Sequence, residues 1–219
     1  MAMASLRLPA PGRLPVTGAV DAIERYHRPG IGAVLRRRLL WARQALPAEP
    51  VDRALEIGYG SGIFLYTLAA AARQTVGIDV HHCAGAVQRV LVRDGVPANV
   101  LRASGTALPF GDESFDVVVV LATLEFIPDP AACLHQVLRV LRPGGRAICL
   151  RPRSLRWADW AYRALAGFDP ERDFQGGRHR VALALQRLAD SGVPVTRSSR
   201  PRGLPAQLAP YELVTLDRC

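Results

Sequence analysis

Ten residues constrain this chain more than any others: Arg53-Ala54-Leu55-Glu56-Ile57-Gly58-Tyr59-Gly60-Ser61-Gly62. Ala54 to Ile57 reads as a short buried strand, the three glycines follow at alternate positions, and an apolar helix is expected from Ile63 to about Ala72. Glycine lets the backbone turn sharply between strand and helix, and it removes the side chains that would hold a flat ligand off the main chain. A second strand, Thr75 to Ile78, ends in Asp79, about twenty residues past the glycines. A carboxylate at that spacing can accept hydrogen bonds from both hydroxyls of a ribose. The pattern predicts an α/β scaffold with a pocket for a nucleoside-bearing cofactor.

The dinucleotide fingerprint G-x-G-x-x-G receives a pyrophosphate at a helix N-terminus. Here the third glycine comes one residue early, and Glu56 precedes the set. That pattern resembles the first motif of the class I S-adenosylmethionine (SAM) methyltransferases. Two further passages are similar to the small-molecule branch of that family. One is Leu108-Pro109-Phe110 followed by Glu113-Ser114-Phe115-Asp116-Val117-Val118. The other is Arg142-Pro143-Gly144-Gly145, after a predicted helix from Ala131 to Leu141. The resemblance spans roughly residues 50–150, with the motifs in order.

This resemblance implies a doubly wound, Rossmann-like, seven-stranded and mostly parallel sheet. Helices would cover both faces, the last strand would be antiparallel, and an N-terminal helical lid would lie over the cofactor. It implies SAM as methyl donor and S-adenosylhomocysteine (SAH) as product. The cofactor-binding positions carried over are Glu56, Gly58, Gly60 and Gly62 near the methionine end, Asp79 and Val80 at the ribose, Ser104, Gly105 and Thr106 at the adenine, and Leu121 beside them. The family usually has an aspartate where Ser104 stands; a serine hydroxyl can accept the same hydrogen bond without charge. The N-P-P-[YF] signature of enzymes that methylate exocyclic or amide nitrogens is absent.

Asp116 to Ala122 is an almost continuous apolar strand of the kind buried on both faces of a parallel sheet. Ligands of open α/β sheets bind at the carboxyl ends of strands, so Leu121 to Glu125 is expected to line the site. Glu125 could deprotonate a nucleophile, hold an amine or anchor its loop. His27, next to Tyr26, could reach the site from the lid or pack beside the Pro29-Gly30 turn. These two are the catalytic candidates. His81 and His82 follow Asp79, and one of them could border the ribose or adenine; they lack a third ligand nearby, so no metal site is expected. Arg151 and Arg153 leave the fifth strand at the ligand end, where they could bind a carboxylate or phosphate or face solvent.

Residues 1–17 are expected to form a mobile tail, 18–50 the helical lid and 51–219 the methyltransferase domain. Trp157, Trp160, Ala161, Ala164 and Leu165 fall on one helical face. Phe168 to Arg180 reads as a polar loop that shapes the substrate pocket. Val181, Leu185 and Leu188 suggest a final helix, and Val193–Arg197 with Tyr211–Leu216 a closing hairpin. The longest strongly apolar run, Val117 to Leu124, is too short to span a bilayer. No secretory h-region is evident, and the four cysteines have no metal-like spacing, which suits a reducing cytoplasm. The net charge is +9, and all 28 basic residues in that balance are arginine. Such a balance points to an anionic partner or to coding bias. The leading function is methyl transfer to a small molecule, which the basic balance would allow to be anionic. Two others stand beside it: an RNA methyltransferase using the arginine-rich surface, and a non-catalytic binding module that kept the fold.

Overall fold

The computed structural model describes residues 6–18, 21, 23–166, 168–198 and 209–218. A 3-10 turn at Ile23–His27 precedes α1 (Ile31–Ala45). The alternating body then runs β1 (Val51–Ile57), α2 (Leu65–Leu68), β2 (Ala72–Asp79), α3 (Ala84–Arg93), β3 (Ala98–Arg102) and β4 (Phe115–Leu121). After a short 3-10 turn at Leu124–Phe126 come α4 (Pro130–Val140), β5 (Leu141–Pro152), α5 (Arg156–Ala166), α6 (Pro170–Phe174), α7 (Gly177–Asp190), β6 (Val195–Ser198) and β7 (Tyr211–Asp217). Among the described residues these strands form one seven-stranded sheet in the order β3-β2-β1-β4-β5-β7-β6. The first five are parallel to one another, and β7 is antiparallel to both β5 and β6. The doubly wound, Rossmann-like expectation therefore holds, including the antiparallel last strand. That strand sits inside the sheet, and β6 forms the edge.

The centre is β4, whose valine run has the β-branched side chains that pack well on a pleated surface. Period-two alternation sends Val118 and Val120, with Leu55 and Ile57 of β1, to a face covered by α4 and α7. Val117 and Val119, with Ala54, point to the opposite face, against Leu35, Leu39 and Ala42 of α1. Helix α4 starts where expected: Pro130 occupies its first turn and the Asp129 side chain accepts from the Ala132 N–H at 2.9 Å. Its Cys133, Leu134, Val137 and Val140 are buried. Asp116, in the middle of the second motif, has a structural role. It accepts from the Arg53 N–H at 2.7 Å and from Arg142 at 2.8 Å, tying the starts of three central strands together.

Several expectations are corrected. The helix after the glycines is a single turn, because Ala72 already pairs with Val51 and the chain enters β2 three residues before Thr75. The supposed loop Phe168 to Arg180 is largely helical: α6 ends at a left-handed Gln175-Gly176 corner, and α7 begins at Gly177. Residues 6–17, expected to be a mobile tail, lie against the body. Leu6, Leu8 and Leu14 join the cluster under α1, and Arg7 exchanges two hydrogen bonds with Thr67 (3.1 and 2.9 Å). Residues 1–5 lie outside the described set, as does the Pro/Arg-rich link 199–208. The tryptophans of α5 are exposed, Trp157 by 46% and Trp160 by 67%, and the helix anchors through Ala158 instead. No helix among the described residues is long and apolar enough to cross a membrane.

Candidate functional site

The strand order reverses between β1 and β4, and the carboxyl ends of those strands open into a cavity of about 790 Å³. Its first wall is the glycine turn. Gly58 (φ +78°) follows β1 and donates to the Ile78 carbonyl at 2.8 Å. A Cβ at Gly58 would collide with the Thr123 side chain of the β4 loop, so this glycine lets the two switch-point loops touch. Gly60 (φ +53°) has open space where a Cβ would go, which leaves its backbone free for close approach. Gly62 does not line the cavity; a Cβ there would sit 3.1 Å from Val87, so it serves the packing of α3.

Asp79 ends β2 with its two oxygens divided between backbone donors. Oδ2 accepts from the Gly60 N–H at 2.9 Å and Oδ1 from the Val80 N–H at 2.7 Å. Oδ1 also accepts from the His81 N–H at 3.4 Å, so of the carboxylate's roughly four lone-pair sites the free one is on Oδ2. His81 braces the same corner: its Nδ1 accepts from the Cys83 N–H at 3.1 Å, which leaves Nε2–H to donate to the Gly60 carbonyl at 2.9 Å. Ser104, Gly105 and Thr106 form the next wall. The Ser104 and Thr106 hydroxyls are 2.8 Å apart, and Gly105 fits where a Cβ would press on Cys133 and Ile57 at 3.1 Å each. Leu121 and Val80 also border the cavity. Beyond Leu121, Ala122 takes φ +52°, uncommon for a residue with a side chain, as the strand turns into the loop.

Glu56 points from β1 toward the α1 side of the sheet and lines the cavity. It is 3% exposed, its Oε2 has no hydrogen-bond partner, and its pKa is held well above the ordinary carboxylate value by burial and then by the nearby Asp79 charge. The 3-10 turn and α1 close over it with Arg25, Tyr26, Ile31, Leu35, Arg38 and Leu39. At the other end the wall is aromatic. Phe126, Phe168 and Phe174 meet edge to face at 5.0–6.3 Å, and Tyr162 meets Phe168 at 6.1 Å.

Neither catalytic candidate borders this cavity. His27 lies outside the lining, where its neighbour Tyr26 takes the inward position. Glu125 is fully buried on the opposite side of its loop, 3.8 Å from the Arg151 guanidinium, with no well-formed hydrogen bond to either oxygen. Burial pushes its pKa up to about 7, against the pull of its own backbone N–H, Arg151 and Arg178. The N-terminus of α7 presses on the same loop: a Cβ at Gly177 would overlap the Glu125 carbonyl. Of the three openings left by sequence, loop anchoring is the one this placement suits. Arg151 is likewise buried, between Glu125 and Glu212 at 3.7 Å, and does not line the cavity.

The residues that sequence missed are Arg38, Tyr162, Phe174 and Tyr211. Arg38 stands in a run of arginines that sequence does not tell apart, yet it falls seven residues after Ile31 and three after Leu35, on the inward stripe. Tyr211 and Phe174 carried no local signal, because distant segments bring them to the cavity.

Residues 55–149 match the family described as a methyltransferase domain. Over that stretch the chain carries a methyltransferase domain, in line with the motifs that resemble those of the class I SAM-dependent methyltransferases. It is 38% identical over 146 residues to a demethylmenaquinone methyltransferase from Roseiflexus castenholzii, covering 59% of this chain and 61% of the relative. It is 36% identical over 162 residues to an uncharacterized protein of Mycobacterium tuberculosis, covering 73% and 53%. The chain thus spans less than two thirds of these relatives' lengths. Among solved structures it resembles the N-methyltransferase NodS of Bradyrhizobium japonicum in complex with SAH. That match has a TM-score of 0.64 and 19% identity over 91% of this chain and 93% of the other, a likeness of fold.

Proposed function

We propose that the cavity binds SAM and that the chain transfers its methyl group to a small, largely apolar acceptor. One observation carries this reading. A single cavity joins a donor-and-acceptor end, built from Gly58, Gly60, Asp79 and the Ser104–Thr106 turn, to an aromatic end, built from Phe126, Phe168 and Phe174. The residues fit the cofactor. Gly60 leaves room for a close backbone approach, Asp79 keeps a lone pair on Oδ2 for a ribose hydroxyl, and the unpartnered Glu56 matches a cationic group. The departure at Ser104 leaves a hydroxyl pair, Ser104 with Thr106, in place of a charged acceptor for the adenine amine.

When bound, SAM supplies a methyl group already activated by its positive sulfur. The protein's share is then to hold the acceptor in line and to exclude water, an orientation effect that can reach ~7–11 kcal/mol. The rim from Leu121 to Thr123 and the aromatic cluster, which line the cavity, would do this. The demethylmenaquinone methyltransferase relative supports a small-molecule acceptor, and the edge-to-face aromatic cluster suits an apolar one. The test is a cell extract incubated with the protein and methyl-labelled SAM, then separated into solvent-soluble small molecules, RNA and protein. Label in the small-molecule fraction is expected. Label in RNA would favour the arginine-rich surface instead, and no transfer together with tight SAH binding would favour a non-catalytic module.

A further inference from the structure

Helix α5 turns outward a face that the cavity does not use. Trp157, Trp160, Ala161 and Ala164 recur at i, i+3, i+4 and i+7, so they form one stripe along the helix. Both tryptophans and Ala164 are exposed, whereas Trp41, the third tryptophan of the chain, is buried. The other side of α5 holds the helix down. Ala158 is buried, Asp159 accepts from both terminal nitrogens of Arg178 at 2.7 and 3.2 Å, and Tyr162 lines the cavity. Arg156 and Arg163 stand two turns apart on one flank of the stripe. Arg163 spends its charge on Asp169 and Glu171 at 3.2 and 3.4 Å, and Arg156 has no carboxylate partner among the described residues. Two indoles held in water are costly apolar surface. An indole has an apolar body and one polar N–H, which suits the boundary between an apolar phase and water.

Charge and helix length choose the occupant of this face. The chain carries a net charge of +9, which draws it to an anionic surface. Tryptophan on one face with arginine on its flank is the make-up of a helix that lies in the plane of a membrane interface. At 11 residues α5 is far too short to span a bilayer, so the contact is peripheral. We propose that the Trp157–Trp160 face of α5 docks on an anionic phospholipid bilayer, with both indoles in the headgroup boundary and Arg156 on the lipid phosphates. The same helix reaches the aromatic end of the cavity through Tyr162, which meets Phe168 at 6.1 Å, and it packs on α6, which carries Phe174. In a clause that rests on the apolar-acceptor reading above, docking brings that end of the cavity to the phase in which such an acceptor dissolves.

The test is co-sedimentation with vesicles of phosphatidylcholine alone and of an equal mixture of phosphatidylcholine and phosphatidylglycerol, with tryptophan emission followed in parallel. Wild-type protein is expected to bind the mixed vesicles at least about ten-fold more tightly than the neutral ones. Its emission should shift to the blue as the indoles leave water, and lipids brominated in the acyl chain should quench it. The double variant Trp157→Ser, Trp160→Ser should weaken binding to the mixed vesicles about ten-fold or more, and Arg156→Gln about five-fold. Both should keep the wild-type affinity for SAH, because none of the three residues lines the cavity. The wild-type emission and quenching need no variant to fold. Equal binding of wild type to the two vesicles, or unmoved emission in the bound protein, would overturn the proposal. So would a double variant that binds as wild type does, since net charge alone would then explain the attraction. A dimer that forms without lipid and is lost in the double variant would give the face to a second copy of the chain and overturn it too. SAH binding without vesicle binding removes this proposal alone; vesicle binding without SAH binding supports it and removes the cofactor reading.

Discussion

Replacing Glu125 by glutamine should flatten the pH dependence of stability. The carboxyl titrates near 7 in the folded protein, chiefly because burial disfavours its charge, against an ordinary value of 4.5. Between those values the folded state holds a proton that the unfolded state has released. Stability must therefore fall as pH rises through that window, and the full cost is reached above the folded value. Each pH unit of difference is worth about 1.4 kcal/mol, so ionising Glu125 costs about 3 kcal/mol at pH 8. Being fully buried, the group has no solvent screening to reduce this. Urea unfolding of wild type and Glu125→Gln at intervals from pH 4.5 to 8 isolates the effect, since all other groups titrate in both. The gap between them should open by about 3 kcal/mol in favour of the variant, with most of the change below pH 7. The glutamine protein should bind SAH as wild type does. Parallel stability profiles would refute the burial argument, and lost SAH binding would refute the placement of Glu125 outside the cavity.

The glycine turn offers a contrast within one loop. Gly58→Ala adds a left-handed penalty of roughly 1–2 kcal/mol to a collision with Thr123, so its urea midpoint should drop sharply. Gly60→Ala meets open space and should lose only about the backbone penalty in stability while weakening SAH binding, as titration would show. Gly177→Ala should destabilise by more than ~2 kcal/mol in the same unfolding assay, because its Cβ would strike the Glu125 main chain. An unaltered midpoint there would mean that the α7 contact gives way freely.

The parts legible in sequence were those whose partners lie close along the chain. The Gly58–Gly62 spacing and Asp79 announced the β1–β2 corner because strand, turn and helix are one local unit. The helix expected over Ala131 to Leu141, found as α4 at Pro130–Val140, was legible for the same reason. Gly62, expected at the cofactor, lies outside the cavity lining; spacing alone does not tell a pocket glycine from one packed under a helix, and here the neighbour is Val87. Glu125 was misplaced because the residues that surround it, Arg151, Gly177 and Arg178, come from β5 and α7. The aromatic end was hidden in a segment rich in Asp, Glu and Arg. That segment reads as a loop until Asp169 caps α6, accepting from the Glu171 N–H at 3.1 Å, and Phe174 turns inward.

The most direct test of the whole account is a crystal structure of the protein with SAH. A ribose hydroxyl is predicted on the Asp79 carboxylate, the adenine beside the Ser104–Thr106 turn, and the sulfur facing the chamber of Phe126, Phe168 and Phe174. SAH bound with Asp79 touching neither hydroxyl, or seated outside the glycine turn, would contradict it.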